Sequence, residues 1–236
     1  MKKSLLILLF SAAVFLPLAG EVFLLRPLTG GANSAAFPLS RVLPGLENAS
    51  PLLTEPVRIN GKNFTLELYR SNARFEDMYR FLVSRKVNFI ESNDTLRCTA
   101  RFSGDTLERL LIVKSPGRGP VTVFRIAGSA GLPPVSSWPR ELPDLPSGAQ
   151  ALQVIELPRR SSVYGAFERG SLDAQGSFRS IDAALSNAGW RAAGKEASPL
   201  TGGTGDIYIH SRTKNILWVT LDQEGRGAFY CRKREK

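Results

Sequence analysis

Leu110-Leu-Ile-Val-Lys-Ser-Pro-Gly-Arg-Gly119 followed by Val121-Thr-Val-Phe-Arg125, and Ile216-Leu-Trp-Val-Thr-Leu-Asp-Gln-Glu-Gly-Arg-Gly227 followed by Ala228-Phe-Tyr-Cys-Arg232, are two versions of one pattern. Each is an apolar run, a Gly-Arg-Gly element and a second apolar run. Short apolar runs bounded by turn residues read as strands, and glycine supplies the positive dihedrals of a tight hairpin. The pair therefore predicts two antiparallel hairpins, one in each half of the chain, with Arg118 and Arg226 at matching turns.

The same order of signals precedes both hairpins. In Asn63-Phe-Thr-Leu-Glu-Leu-Tyr-Arg70, Phe64, Leu66 and Leu68 alternate onto one face, as in a strand. Phe75, Met78, Tyr79, Leu82 and Val83 then recur at helical spacing, and Thr95–Phe102 is a further strand candidate. Later in the chain, Ser162–Phe167 reads as a strand. Phe178, Ile181, Leu185 and Ala188 form a helical stripe that Gly189 is placed to end, and Asp206–His210 follows as a strand. The predicted fold class is α+β: two tandem β-α-β-β-β modules over 57–127 and 150–236, each a helix packed on an antiparallel sheet.

The helix end Ile181-Asp-Ala-Ala-Leu-Ser-Asn-Ala-Gly-Trp190 has the form L-x-x-x-G-W before a strand. It resembles modules of uncharacterised bacterial exported proteins. The resemblance covers the second module and only loosely the first, where Arg85-Lys-Val stands in place of the Gly-Trp corner. It implies a cell-envelope location without an assigned activity.

Two stretches show no sustained period. Residues 26–56 are rich in Gly, Pro, Ser and Ala, and 128–149 carry Pro133, Pro134, Pro139, Pro143 and Pro146. They read as a flexible linker and a semi-stiff proline-rich linker, with Trp138 as the clamp that pins the second to a domain. The N-terminus, Met1-Lys2-Lys3 before an apolar run to Ala19, has the plan of a secretory signal. Residues 1–25 are thus expected to be a cleaved signal peptide or a retained membrane anchor. The small-residue rule is poorly met at Ala19 and Gly20, so the two readings stay open. Either one delivers the rest of the chain across the membrane. The product would be periplasmic, anchored to the outer face of the inner membrane, or secreted.

With 31 Lys and Arg against 21 Asp and Glu, the chain carries a formal charge of +10. That favours anionic surroundings such as lipid headgroups, acidic polysaccharide or nucleic acid, without choosing among them. The basic tail Arg232–Lys236 fits a solvated end or a membrane contact.

Signals for catalysis are sparse. The sequence contains no H-E-x-x-H, no G-x-S-x-G, no phosphate loop ending in Gly-Lys-Ser/Thr and no C-x-x-C-H. His210 is the single histidine and has no accompanying ligand spacing. No catalytic residue, metal site or cofactor is expected. Gly202-Gly-Thr-Gly205 reads as a loop. Cys98 and Cys231 are the two cysteines. An oxidising compartment permits a bridge between them, while their place in apolar strands equally suits free thiols packed as small hydrophobes.

The functional expectation is a non-enzymatic envelope protein that binds or helps assemble a protein partner. An alternative is an exported binder of an anionic ligand through a basic surface centred on Arg118 and Arg226. A third reading is a hydrolase with an unfamiliar site.

Overall fold

The computed structural model describes residues 33–35, 38–92, 94–102, 106–115, 120–129, 133–168, 174–197, 204–221 and 226–234. The signal or anchor expected over 1–25 lies outside them, as do Arg118 with its flanking glycines, and Gly202 and Gly203. No helix among the described residues is long and apolar enough to cross a membrane.

Among the described residues antiparallel sheet dominates, accompanied by two α-helices, an α+β arrangement. It divides into two compact units, the first within Leu24–Arg58 and Lys62–Leu132, the second within Pro133–Lys236 together with Ile59–Gly61. The first unit contains β1 (Asn33–Ala35), β2 (Leu53–Ile59), β3 (Lys62–Ser71), α1 (Phe75–Ser84), β4 (Phe89–Ser92), β5 (Thr95–Phe102), β6 (Thr106–Val113) and β7 (Val121–Ser129). Its strands run in the order β5-β6-β7-β3-β2. Antiparallel β4 and parallel β1 both pair with β5, β4 at residues 95–98 and β1 at residues 100–102. The second unit contains β8 (Gln150–Leu157), β9 (Ser162–Glu168), α2 (Ala174–Asn187), β10 (Trp190–Ala197), β11 (Thr204–His210), β12 (Ile216–Leu221) and β13 (Arg226–Arg232). Its order is β10-β11-β12-β13-β9-β8, all antiparallel.

Both units therefore run hairpin, helix, then four strands. This is longer than the expected β-α-β-β-β order, because β2 and β8 precede the hairpin partners and β4 and β10 follow the helices. Pro56 is expected from the sequence to end a linker. It sits inside β2 instead, with its side chain exposed between buried Glu55 and Val57. Gly202–Gly205 is likewise not all loop, since β11 begins at Thr204.

In α1, Met78 and Leu82 are wholly buried and Phe75 nearly so. Asp77 accepts a hydrogen bond from the Arg74 N–H at 3.3 Å, and Glu76 and Asp77 place negative charge where the helix dipole favours it. Tyr79 and Val83 share the periodicity but are 38% and 51% exposed, so the stripe is wider than the face it buries. In α2, Ile181 and Leu185 are the buried anchors. Gly189 follows the helix at φ +88°, the left-handed turn that glycine adopts without strain, and Trp190 opens β10.

The hairpins correct the reading of the Gly-Arg-Gly elements. Val113 pairs with Thr122, whereas Leu221 pairs with Gly227, so Gly227 belongs to a strand and not to a turn. A Cβ there would lie 2.3 Å from Phe167 Cζ, and glycine is needed for space. Matching the two motifs also sets Leu110 against Ile216. Leu110 is buried beneath α1, but it is Leu217, not Ile216, that joins the core beneath α2. Sliding a strand by one residue exchanges its faces.

The expected linkers also turn out to carry core. Leu39, Leu43 and Leu46 join Phe75, Met78, Leu82, Leu96, Cys98 and Ile112 in one cluster. In the second unit Leu142 is buried, and Trp138 and Leu145 pack against Phe167, Ile181, Leu185 and Phe229. The two segments share a sequence, Arg41-Val-Leu-Pro-Gly-Leu46 and Arg140-Glu-Leu-Pro-Asp-Leu145. Each proline carbonyl is held by a side chain: Ser71 Oγ donates to Pro44 O and Trp138 Nε1 to Pro143 O, both at 2.7 Å. The Trp138 ring stands edge-on to Phe167 and Phe229, over Gly165.

At Gly165 a Cβ would meet Trp138 Cη2 at 2.5 Å and Leu142 Cδ1 at 2.6 Å. Gly165→Ala is expected to lift this segment and destabilise the protein by about 1–3 kcal/mol. Urea denaturation measures the loss, and limited proteolysis should show faster cleavage within 138–145.

Candidate binding cleft

Among the described residues a cleft of about 440 Å³ opens in the second unit, lined by Ile209, Lys214, Ile216, Arg232, Lys233 and Arg234. Sheet register places three of these side by side. Ile209 on β11 pairs with Ile216 on β12, and Ile216 pairs with Arg232 on β13. Arg191 continues the row as the partner of Ile209 on β10. The face is the one opposite α2, because Tyr208, Leu217 and Cys231 take the alternate positions and lie in the helix-covered core.

The remaining residues come from the β11–β12 turn and the segment after β13. His210 shapes the turn: its Nδ1 accepts from the N–H groups of Arg212 at 3.3 Å and Thr213 at 3.2 Å. The ring packs edge-on to Trp190 at 5.0 Å. Lys214 then takes a left-handed backbone (φ +60°), and its Nζ donates to Ser211 O at 2.7 Å. Asn215 Oδ1 accepts from the Arg234 N–H at 3.2 Å, tying the two segments together. Lys233 Nζ reaches Glu141 Oε1 at 3.0 Å, and this hydrogen bond holds the Glu141 carboxyl below its usual range. For Lys214, Arg232 and Arg234 there is no carboxylate at ion-pair distance among the described residues. The cleft thus offers three cations around two isoleucines, an arrangement for anionic groups flanking an apolar one.

The residues singled out from sequence are not assembled at this cleft. Arg118 lies outside the described residues. Arg226 opens β13 opposite Glu168, at the other end of that strand from Arg232, and is half-buried. Cys98 and Cys231 are free thiols, each buried in the core of its own unit, so they act as small apolar fillers and no bridge joins them. Burial pushes both thiols up, Cys231 to about 11. His210 supports a turn, its Nδ1 taken up by the Arg212 and Thr213 N–H groups, and no carboxylate or thiol among the described residues hydrogen-bonds to it. No group of three or more His, Cys, Asp or Glu able to hold a metal occurs among the described residues.

A charge cluster in the first unit leaves no local signature in the sequence, because its members stand on three separate strands, Glu67 on β3, Glu108 on β6 and Arg125 on β7. Arg125 donates through Nε to Glu108 Oε1 and through Nη1 to Glu67 Oε2, both at 2.6 Å. Tyr69 OH donates to Glu67 Oε2 at 2.7 Å, and burial, helped by this hydrogen bond, pushes the phenol up to about 12. The Ser40 N–H points at both oxygens of the fully buried Glu108, at 3.3 and 3.2 Å. Two carboxylates held by one guanidinium, one of them closed to solvent, have little room for a substrate. The cluster instead fastens the Leu39–Leu46 segment to the sheet.

No family model matches the sequence and no curated protein aligns with it. A solved structure, the apo form of the immunity protein TplEi of the T6SS from Pseudomonas aeruginosa, overlaps 76% of this chain and 81% of its own, at 12% identity and a TM-score of 0.25.

Two outcomes test this account. Glu108→Ala is expected to cost about 1–3 kcal/mol by leaving Arg125 Nε and the Ser40 N–H without their acceptor while Glu67 still matches the Arg125 charge, read by urea denaturation. Neither thiol should react with a thiol reagent in the native protein, and two should titrate after unfolding without reductant; a count of zero after unfolding would establish a bridge.

Proposed function

We propose that the chain is an exported cell-envelope protein made of two copies of one module, acting as a non-enzymatic binding module for a protein partner. Export rests on the basic and apolar N-terminal sequence, and duplication on the shared hairpin-helix-four-strand order with its R-x-L-P-x-L segment. The binding role rests on the cleft of Ile209, Lys214, Ile216, Arg232, Lys233 and Arg234. Cations around an apolar floor suit a partner segment with Asp or Glu beside a Leu- or Ile-sized side chain. Opposite charges at the rim set encounter rate and register, while the apolar anchor supplies most of the affinity.

The same cations also fit the alternative reading, an anionic polysaccharide or nucleic acid. The two differ in what the isoleucines contribute. A backbone-directed polyanion is held by charge, and its affinity falls steeply with salt. A protein partner loses only part of its affinity to salt and depends on Ile209 and Ile216.

A photo-crosslinking side chain at Ile209, which is 39% exposed, should trap one discrete protein adduct in intact cells. Combined Lys214→Glu and Arg234→Glu substitutions should reduce that adduct at least tenfold. A cleft that traps nothing, or an adduct indifferent to both charge reversals, would sink the proposal. Heparin or oligonucleotide binding that is lost between low and physiological salt would transfer the site to the alternative.

A further inference from the structure

The first unit also holds a buried arginine whose circumstances are the reverse of those of the part-buried Arg125. Arg109 lies on β6 next to Glu108 in sequence, so its side chain points to the opposite face of the sheet. The residue is only 7% exposed, its Nη1 is wholly buried, and that atom has no hydrogen-bond partner among the described residues. No carboxylate reaches it among the described residues.

Register defines the surroundings. Arg109 is opposite Thr99 on β5 and Ile126 on β7, and Ile126 faces Leu66 on β3. Leu107 and Leu111 flank it on its own strand, and both are buried. This is an apolar floor with a hydroxyl on one side. One row along β5, on the same face as Thr99, stands Arg97, paired with Leu111. Diagonal neighbours across an antiparallel pair are about 7–8 Å apart, within reach of long side chains. Burial also lowers the pKa of Arg109, and no opposing charge among the described residues restores it.

A guanidinium does not shed its proton to escape such a position, and an isolated buried charge costs several kcal/mol. A planar fork beside a second arginine and a hydroxyl is the usual equipment for holding phosphate through paired N–H donors. We propose that Arg109, with Arg97 and the Thr99 hydroxyl, forms a site for a phosphate-class oxyanion on the face of the first sheet opposite α1. The site is separate from the cleft on the second unit and does not depend on the function proposed for it.

Thermal unfolding of the full chain tests this at fixed ionic strength, chloride being exchanged for inorganic phosphate or glycerol phosphate. The first probe stands for the free ion and the second for a headgroup. A response to either supports the site, and their ratio identifies the source. At about ten times its dissociation constant the favoured probe should raise the midpoint by about 3 °C or more. Arg109→Met should abolish the rise and, without phosphate, be at least as stable as the natural chain, because it removes an unmatched charge. Thr99→Val should weaken the response and keep the fold, while Arg234→Glu should leave it unchanged. The site is refuted if neither probe acts, if the rise survives Arg109→Met, if Arg109→Met alone destabilises the chain, or if Arg234→Glu removes the effect.

Discussion

A sheet of five or six strands is about 20–25 Å wide at ordinary strand spacing, while one helix with its side chains covers about 10 Å. Each unit meets this constraint, and neither α1 nor α2 alone can cover the apolar face beneath it. The uncovered width is taken by Leu39, Leu43 and Leu46 in one unit and by Trp138, Leu142 and Leu145 in the other. These segments are short, and they hold position through a few fixed points: a proline carbonyl with a side-chain donor in each, the carboxylate of Glu108 in the first, and the ring of Trp138 in the second. Both units follow from this need for a second cover.

What the sequence disclosed, and what it hid, follows the same physics. Alternation exposed β3, β5 and β11, and helical spacing exposed both helices with Gly189 as a stop. Those signals are local, and each residue's environment is set by its own element. The covering segments hid behind their composition. Proline and glycine at high density resemble a linker until Arg41–Leu46 is laid beside Arg140–Leu145 and the spacing of leucines is seen to repeat. Pro56 concealed β2 in the same way. The Gly-Arg-Gly resemblance was genuine as letters and misleading as geometry, because Gly227 is small to make room for Phe167 and not to turn the chain. The cleft was nearly invisible beforehand. Its residues come from three strands, a turn and a tail, and only the basic run Arg232–Arg234 announced itself.

The first sheet treats two of its arginines in opposite ways. On one face Arg125 satisfies Glu67 and Glu108 together, and its charge becomes a fastening for the segment laid across it. On the other, Arg109 is set among leucines and an isoleucine, with a hydroxyl beside it. Adjacent residues on one strand, Glu108 and Arg109, thus serve opposite layers. Neither could be exchanged for the other by a shift in register without stranding both.

The position of β13 has a consequence for the order in which the second unit is made. It lies between β12 and β9 and binds strands encoded before and after α2. Until residues 226–232 leave the ribosome, β8 and β9 on one side and β10 to β12 on the other are two ribbons with no shared neighbour. The helix and the tryptophan segment have only half a floor each. The unit must therefore close late and in one cooperative step, and it presents exposed strand edges to chaperones for nearly the whole of its synthesis.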